Sequence, residues 1–137
     1  MAKPNPETVP PKPAAAGSRI YWICAAAWLV PGLGHLMLGR RIRSAVLFAC
    51  IVAMFALGVL MKGQIFATGG PSYLETLGYY GELCVGLALP VVRFFGYNGG
   101  DPFFGSSDYG TAYLVAAGML NVLAVLDAYD IGVGRKA

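Results

Sequence analysis

The sequence predicts an all-α integral membrane protein with three or four hydrophobic helices. Of its 137 residues, 57% are hydrophobic and 12% are charged, whereas soluble domains usually carry about 25% charged residues. A soluble globular protein would need more charged residues to cover its surface. A disordered chain would be far less hydrophobic than this one. The net charge of +3 is too small for a strongly basic nucleic-acid-binding protein, so no nucleic-acid partner is expected.

The first 19 residues are predicted to form a tail outside a helical membrane domain that occupies residues 20–137. The tail contains five prolines, and its only large apolar residues are Met1 and Val9. A segment of this composition cannot build a hydrophobic core, and it is typical of extended, polyproline-like linkers.

The first hydrophobic element covers residues 20–38 and is interrupted by the sequence Pro-Gly-Leu-Gly at residues 31–34. Proline removes a backbone donor and clashes with the preceding helical turn, while glycine permits unusual backbone angles. The pattern therefore favours a helix that is broken or re-entrant at Pro31 over a simple membrane span.

Residues 44–61 form the clearest predicted span, because only Ser44 and Gly58 lie outside the hydrophobic set. At 1.5 Å per residue the run is about 27 Å long, close to the ~30 Å hydrocarbon core of a bilayer. A second span is predicted over residues 109–126. Small residues spaced by four favour close helix packing, and each predicted span carries such a stripe. The stripes consist of Ala45, Ala49 and Ala53 in the first span and Ala112 and Ala116 in the second.

The segment near residues 73–95 allows more than one interpretation. Its apolar part, residues 83–95, is only about 20 Å long as a helix and is therefore short for a span. Extending it back to Tyr73 places Glu75, Glu82 and Arg93 at intervals near the helical repeat. This spacing predicts a short or amphipathic helix that lies at the membrane interface or packs on the helix bundle.

The distribution of charge predicts the orientation of the chain. Basic residues concentrate in the N-terminal tail, in the turn at residues 40–43 and at the C-terminus, whereas residues 64–108 hold four acids and one arginine. The positive-inside rule then places the turn and both termini in the cytoplasm, in a multi-pass arrangement.

His35 is the only histidine and lies within a hydrophobic element. Ionisable groups inside a membrane are candidates for function, and an imidazole there could ligate the metal of a chlorin or haem. The structural alternative is a hydrogen bond to the backbone freed at Pro31, or contact with a lipid headgroup.

Two further polar groups are candidate sites, each with a structural alternative. Arg40, Arg41 and Arg43 could bind anionic lipid, or they could serve only as a topology anchor. Asn121, Asp127 and Asp130 could form an intramembrane cation or proton site. The alternative is that the two acids pair with the arginines at residues 40–43 or with Arg135 and Lys136. No catalytic set and no metal-binding motif is recognised, so an enzyme is not expected.

Two sequence blocks indicate a relationship to known proteins. Residues 27–41 read AWLVPGLGHLMLGRR, and residues 126–136 read LDAYDIGVGRK. Together these blocks resemble those of a family of small bacterial integral membrane proteins of unknown function. The resemblance covers about residues 20–137, and it implies a helical membrane protein with no catalytic residues to carry over.

These observations lead us to expect a non-enzymatic accessory subunit of a larger membrane complex, respiratory or photosynthetic, in the bacterial inner membrane. Through a partner subunit it could contact lipid, a chlorophyll-type pigment or a carotenoid. One alternative is a small homo-oligomeric transporter or channel with a path lined by His35, Asn121 and Asp127. Another is a membrane-organising protein that binds anionic lipid through the arginines at residues 40–43.

Overall fold

The computed structural model describes residues 17–66, 72–97, 99–101 and 103–135, and throughout these residues the regular structure is α-helical. The predicted all-α class is therefore confirmed for the described chain, while residues 1–16 of the predicted tail lie outside it. The six helices are α1 (Gly17–Leu29), α2 (Leu33–Met37), α3 (Arg41–Leu60), α4 (Tyr73–Leu83), α5 (Ala88–Phe94) and α6 (Ser107–Gly132).

Two helices, α3 and α6, are long and apolar enough to cross a membrane. They have 20 and 26 residues and are therefore about 30 and 39 Å long. The other described helices have 5 to 13 residues, fewer than the roughly 20 that a span requires. Within the described residues, two helices are therefore of spanning length, and they contain the predicted spans at residues 44–61 and 109–126 almost entirely.

Helices α3 and α6 pack against each other in opposite directions. The end of α3 meets the start of α6, where a Cβ on Gly58 would lie 2.9 Å from the Gly110 carbonyl oxygen. The core between and beside them is built from aliphatic and aromatic side chains of both helices and of the intervening segment: Ile51, Phe55, Ile65, Val85, Leu89, Leu114, Ala117 and Ala124. This antiparallel pair is the frame on which the shorter helices lie.

Helices α1 and α2 form a first hairpin, and its tip lies at the predicted break. Helix α1 ends at Leu29, Pro31 lies in the turn, and Gly32 adopts a left-handed conformation with φ of +79°. The Ser44 hydroxyl of α3 donates a 2.8 Å hydrogen bond to the Gly32 carbonyl. Proline and glycine thus end one helix and reverse the chain, and α3 holds the turn in place.

Helices α4 and α5 form a second, more open hairpin whose helices make few direct contacts, so the segment near residues 73–95 forms two short helices rather than one. The chain reverses at residues 84–87, where Gly86 has φ of +75°. Of the two predicted settings, packing on the bundle is observed: α4 crosses α6 so closely that a Cβ on Gly118 would overlap the Gly81 carbonyl. The spacing of the charged residues was misleading because Glu82 is buried rather than on a solvated face.

The two hairpins meet tip to tip beside the long helices. The Leu87 amide donates a 3.1 Å hydrogen bond to the Leu29 carbonyl, and a Cβ on Gly86 would overlap the Trp28 carbonyl oxygen. Each tip has the sequence Leu-x-x-Gly-Leu, at residues 29–33 and 83–87. Each hairpin is followed in the chain by one long helix, and both α1 and α4 pack on α6.

Replacing Gly86 by alanine should destabilise the protein more than the same change at Gly39. Both glycines have positive φ, which costs an L-residue about 1–2 kcal/mol, but nothing lies within 4 Å of a Cβ at Gly39. At Gly86 the Cβ also meets backbone, which adds about 1–3 kcal/mol of overpacking. Thermal unfolding in detergent micelles measures the difference, and equal losses for the two variants would contradict the tip contact.

Candidate functional site

The candidate site is the point where the hairpin tips meet α6, and Asn121 lies at its centre. Asn121 is fully buried near the middle of α6. Its Nδ2 donates to the Trp28 carbonyl at 3.0 Å and to the Cys84 carbonyl at 2.8 Å. One side-chain amide therefore joins the C-terminal end of α1, the C-terminal end of α4 and the long helix α6.

The Asn121 amide satisfies backbone groups that a broken helix leaves without partners. The last carbonyls of a helix have no intrahelical donor, and they carry the negative end of the helix dipole. The C-terminal ends of α1 and α4 both point at the NH2 group of Asn121. The other amide atom, Oδ1, is buried without a hydrogen-bond partner among the described residues. The sequence predicted a polar group at this position, but not the two carbonyls that it binds.

His35 lies on α2 and is also fully buried. Its Nε2 is 3.0 Å from Oδ2 of Asp127, which lies on α6. The other ring nitrogen, Nδ1, is buried without a hydrogen-bond partner in the described chain. Sequence reasoning placed both residues inside the membrane domain but did not pair them, although buried ionisable groups generally seek one another.

The surroundings of His35 bear on its candidate role as a chlorin or haem ligand. Nε2 faces Asp127, and Nδ1 has almost no accessible surface. A planar macrocycle could therefore approach either nitrogen only after α2 separates from α6. No group of three metal-ligating side chains occurs in the described part of the chain. The contacts of His35 are those of a residue that fastens the first hairpin to α6.

The remaining charged candidates lie at the end of the bundle where His35 meets Asp127. Asp130 is 3.7 Å from Arg135, one of the pairings that the sequence allowed. Asp127 contacts His35, a partner that the sequence did not suggest. Arg40, Arg41 and Arg43 surround a hollow of about 390 Å³ where the first hairpin turns into α3. These arginines make no ion pair with another described residue.

A second polar cluster, which sequence reasoning missed, fastens the other hairpin to the chain that follows α3. Oε2 of Glu82 accepts a 3.0 Å hydrogen bond from the Phe66 amide, and Arg93 donates to the Phe66 carbonyl at 3.0 Å. Tyr97 donates to the Gly63 carbonyl at 2.7 Å. The sequence signal that could have revealed this cluster is the single acid Glu82 next to an apolar run whose only basic residue is Arg93.

The predicted packing stripes do not lie between helices of this chain. Ala45, Ala49, Ala53 and Ala112 are exposed, and Ala116 is half-buried. The close helix contacts use other small residues: Gly58 on α3 packs against Gly110 on α6, and Gly118 on α6 packs against Gly81 on α4. Ala49 and Ala53 of the α3 stripe therefore face away from the bundle, while Ala45 lines a hollow beside the first hairpin.

The contact between His35 and Asp127 should appear as a coupling energy in a double-mutant cycle. We expect His35→Ala and Asp127→Ala to destabilise the protein less in combination than the sum of the single changes, by about 1–2 kcal/mol. Equilibrium unfolding in micelles gives the four free energies. Strict additivity would show that the two side chains do not stabilise each other.

Comparison with known proteins gives one family and no closer relative. The model of a family of unknown function, DUF6677, matches residues 22–137, which include both hairpins and both long helices apart from the first five residues of α1. No curated protein and no solved structure matches the chain. Because the match covers well over half of the sequence, the chain belongs to DUF6677, a family of unknown function.

Proposed function

We propose that the protein is an integral membrane protein in which α3 and α6 cross the bilayer and the two hairpins enter it from opposite sides. Large apolar side chains on the outer surface support this, among them Trp22 and Leu60, each 76% exposed. Buried backbone breaks at the tips find partners within the chain, as the hydrocarbon interior requires. The start of α1 also lies beside the end of α6, where Ile20 approaches Gly132, in keeping with termini on one side.

Its function, we propose, is that of a non-enzymatic accessory subunit in a larger membrane complex. The observation that carries this proposal is the exposed alanine stripe of α3. Small residues spaced by four let two helix backbones approach closely. In this chain α3 packs on α6 through a different face, which includes Ile51, Phe55 and Gly58. A partner helix could therefore lie along Ala49 and Ala53.

The buried polar groups also favour a packing role over a catalytic one. Asn121, His35 and Glu82 each bind another element of the same chain. Their contacts hold the hairpins against the long helices, so these side chains are committed to the fold. The described part of the chain offers its surroundings a largely apolar surface.

Replacing Ala49 and Ala53 together by leucine should release the protein from its complex. The larger side chains keep a partner helix from close approach, while the isolated subunit loses less than about 0.5 kcal/mol because both positions are exposed. Gentle solubilisation of native membranes followed by size-exclusion chromatography measures the fraction in the complex.

Ala25→Leu is the matched control for this test, since Ala25 is an exposed alanine on α1. We expect at least a tenfold loss of the assembled fraction in the double variant and none in the control. Migration of the unaltered protein as a free monomer in every detergent would contradict the proposal, as would full assembly of the double variant.

A second candidate, a small homo-oligomeric transporter, is favoured by one observation. Two broken helices meet at mid-bundle beside Asn121, and broken helices frame the binding sites of many transporters. The backbone carbonyls at the C-terminal ends of α1 and α4 and the Oδ1 atom of Asn121 are oxygen ligands of the kind that cations bind. Ion flux into liposomes that depends on Asn121, together with self-association by cross-linking, would favour this candidate over the accessory subunit.

A further inference from the structure

Three hollows follow one another along α3, starting at the basic end of the bundle. The first, of about 390 Å³, is lined by Arg40, Arg41 and Arg43 with their immediate neighbours. Among the described residues no acid forms an ion pair with these guanidinium groups, and the lining of the first hollow is positively charged.

The second hollow begins where the first ends and runs between the first hairpin and α3. It has a volume of about 310 Å³, and Arg41 belongs to both hollows. Beyond Arg41 its walls are almost entirely apolar, with Leu33 and Leu36 on one side and Ala45 and Phe48 on the other. Ser44, the one hydroxyl in the wall, already donates its hydrogen bond to Gly32.

The third hollow lies against the meeting point of the hairpin tips. It has a volume of about 230 Å³, shares Val30, Pro31 and Phe48 with the second, and has an entirely apolar lining. Leu29 of the first hairpin and Leu87 of the second both contribute to it. The three hollows therefore form one path that is cationic at its outer end and apolar along the rest.

We propose that this path is a binding site for one anionic glycerophospholipid. The phosphate of the headgroup binds Arg40, Arg41 and Arg43, and one acyl chain lies between α2 and α3 with its end at the hairpin tips. Arginine suits phosphate because its guanidinium group donates two parallel hydrogen bonds. An apolar path that begins at such a cluster matches a lipid better than a free phosphate ion, which would use only the first hollow.

The length of the path agrees with this occupant. From Arg41 to Ile51 along α3 is ten residues, or about 15 Å. One leaflet is half of the ~30 Å hydrocarbon core, so an acyl chain that starts at the arginines reaches the tips. The proposal requires only that α3 crosses a membrane, and it therefore stands or falls separately from the accessory-subunit proposal.

Native mass spectrometry of the purified full-length protein tests the site. The protein is incubated with phosphatidylglycerol or with phosphatidylcholine of the same acyl chains, and the retained lipid is counted. We expect about tenfold greater retention of phosphatidylglycerol, and Arg41→Gln should reduce that preference about fivefold. Arg19→Gln, which removes an exposed arginine outside the three hollows, is the charge-matched control and should change nothing.

A second pair of variants tests the acyl path. Ala45→Phe fills the second hollow from an exposed position and should reduce retention of both lipids at least fivefold. Ala49→Phe adds the same side chain one turn further on, outside the three hollows, and should have no effect. Circular dichroism and the thermal midpoint verify that both variants fold.

Three results would overturn the proposal. They are equal retention of the two lipids, equal behaviour of Ala45→Phe and Ala49→Phe, and displacement of phosphatidylglycerol by millimolar inorganic phosphate. Equal retention of the two lipids would mean that the arginines act only as a topology anchor. Either of the other two results would mean that binding involves only the first hollow, which the arginines line.

Discussion

The fold depends on two hydrogen bonds from one side chain, those that the Asn121 amide donates to the Trp28 and Cys84 carbonyls. A chain with two broken helices in an apolar setting must satisfy the carbonyls at each break from within itself. A single amide on the central helix does this for both hairpins at once. The close approaches around it, Gly86 to Trp28 and Gly118 to Gly81, are possible only because glycine stands at both positions.

The same constraint explains how the polar residues are distributed. His35 with Asp127 fastens the first hairpin to α6, and Glu82 with the Phe66 amide fastens the second hairpin to the chain after α3. The outer surface has two further features, the exposed Ala49 and Ala53 of α3 and the path that begins at Arg41. Our two proposals assign a partner helix to the first and a lipid to the second.

Local chemistry explains which parts of this arrangement the sequence predicts. The break at Pro31, the two long apolar helices and the buried Asn121 follow from backbone chemistry and hydropathy, and all are found. The second hairpin was missed because Gly86 lies inside an apolar run without a neighbouring proline to mark the turn. The pairing of His35 with Asp127 joins residues 92 positions apart, and spacing along the chain carries no information about such a contact.

Amide hydrogen exchange at the hairpin tips tests the central role of Asn121 most directly. In the unaltered protein the Leu87 amide is bonded to the Leu29 carbonyl and should exchange slowly. In the Asn121→Leu variant two carbonyls lose their donor, and interactions of this kind contribute about 0.6–1.7 kcal/mol each inside membranes. We predict about eightfold or greater acceleration of exchange at Leu87, with unchanged exchange in the middle of α3. Unchanged exchange at Leu87 would contradict the account.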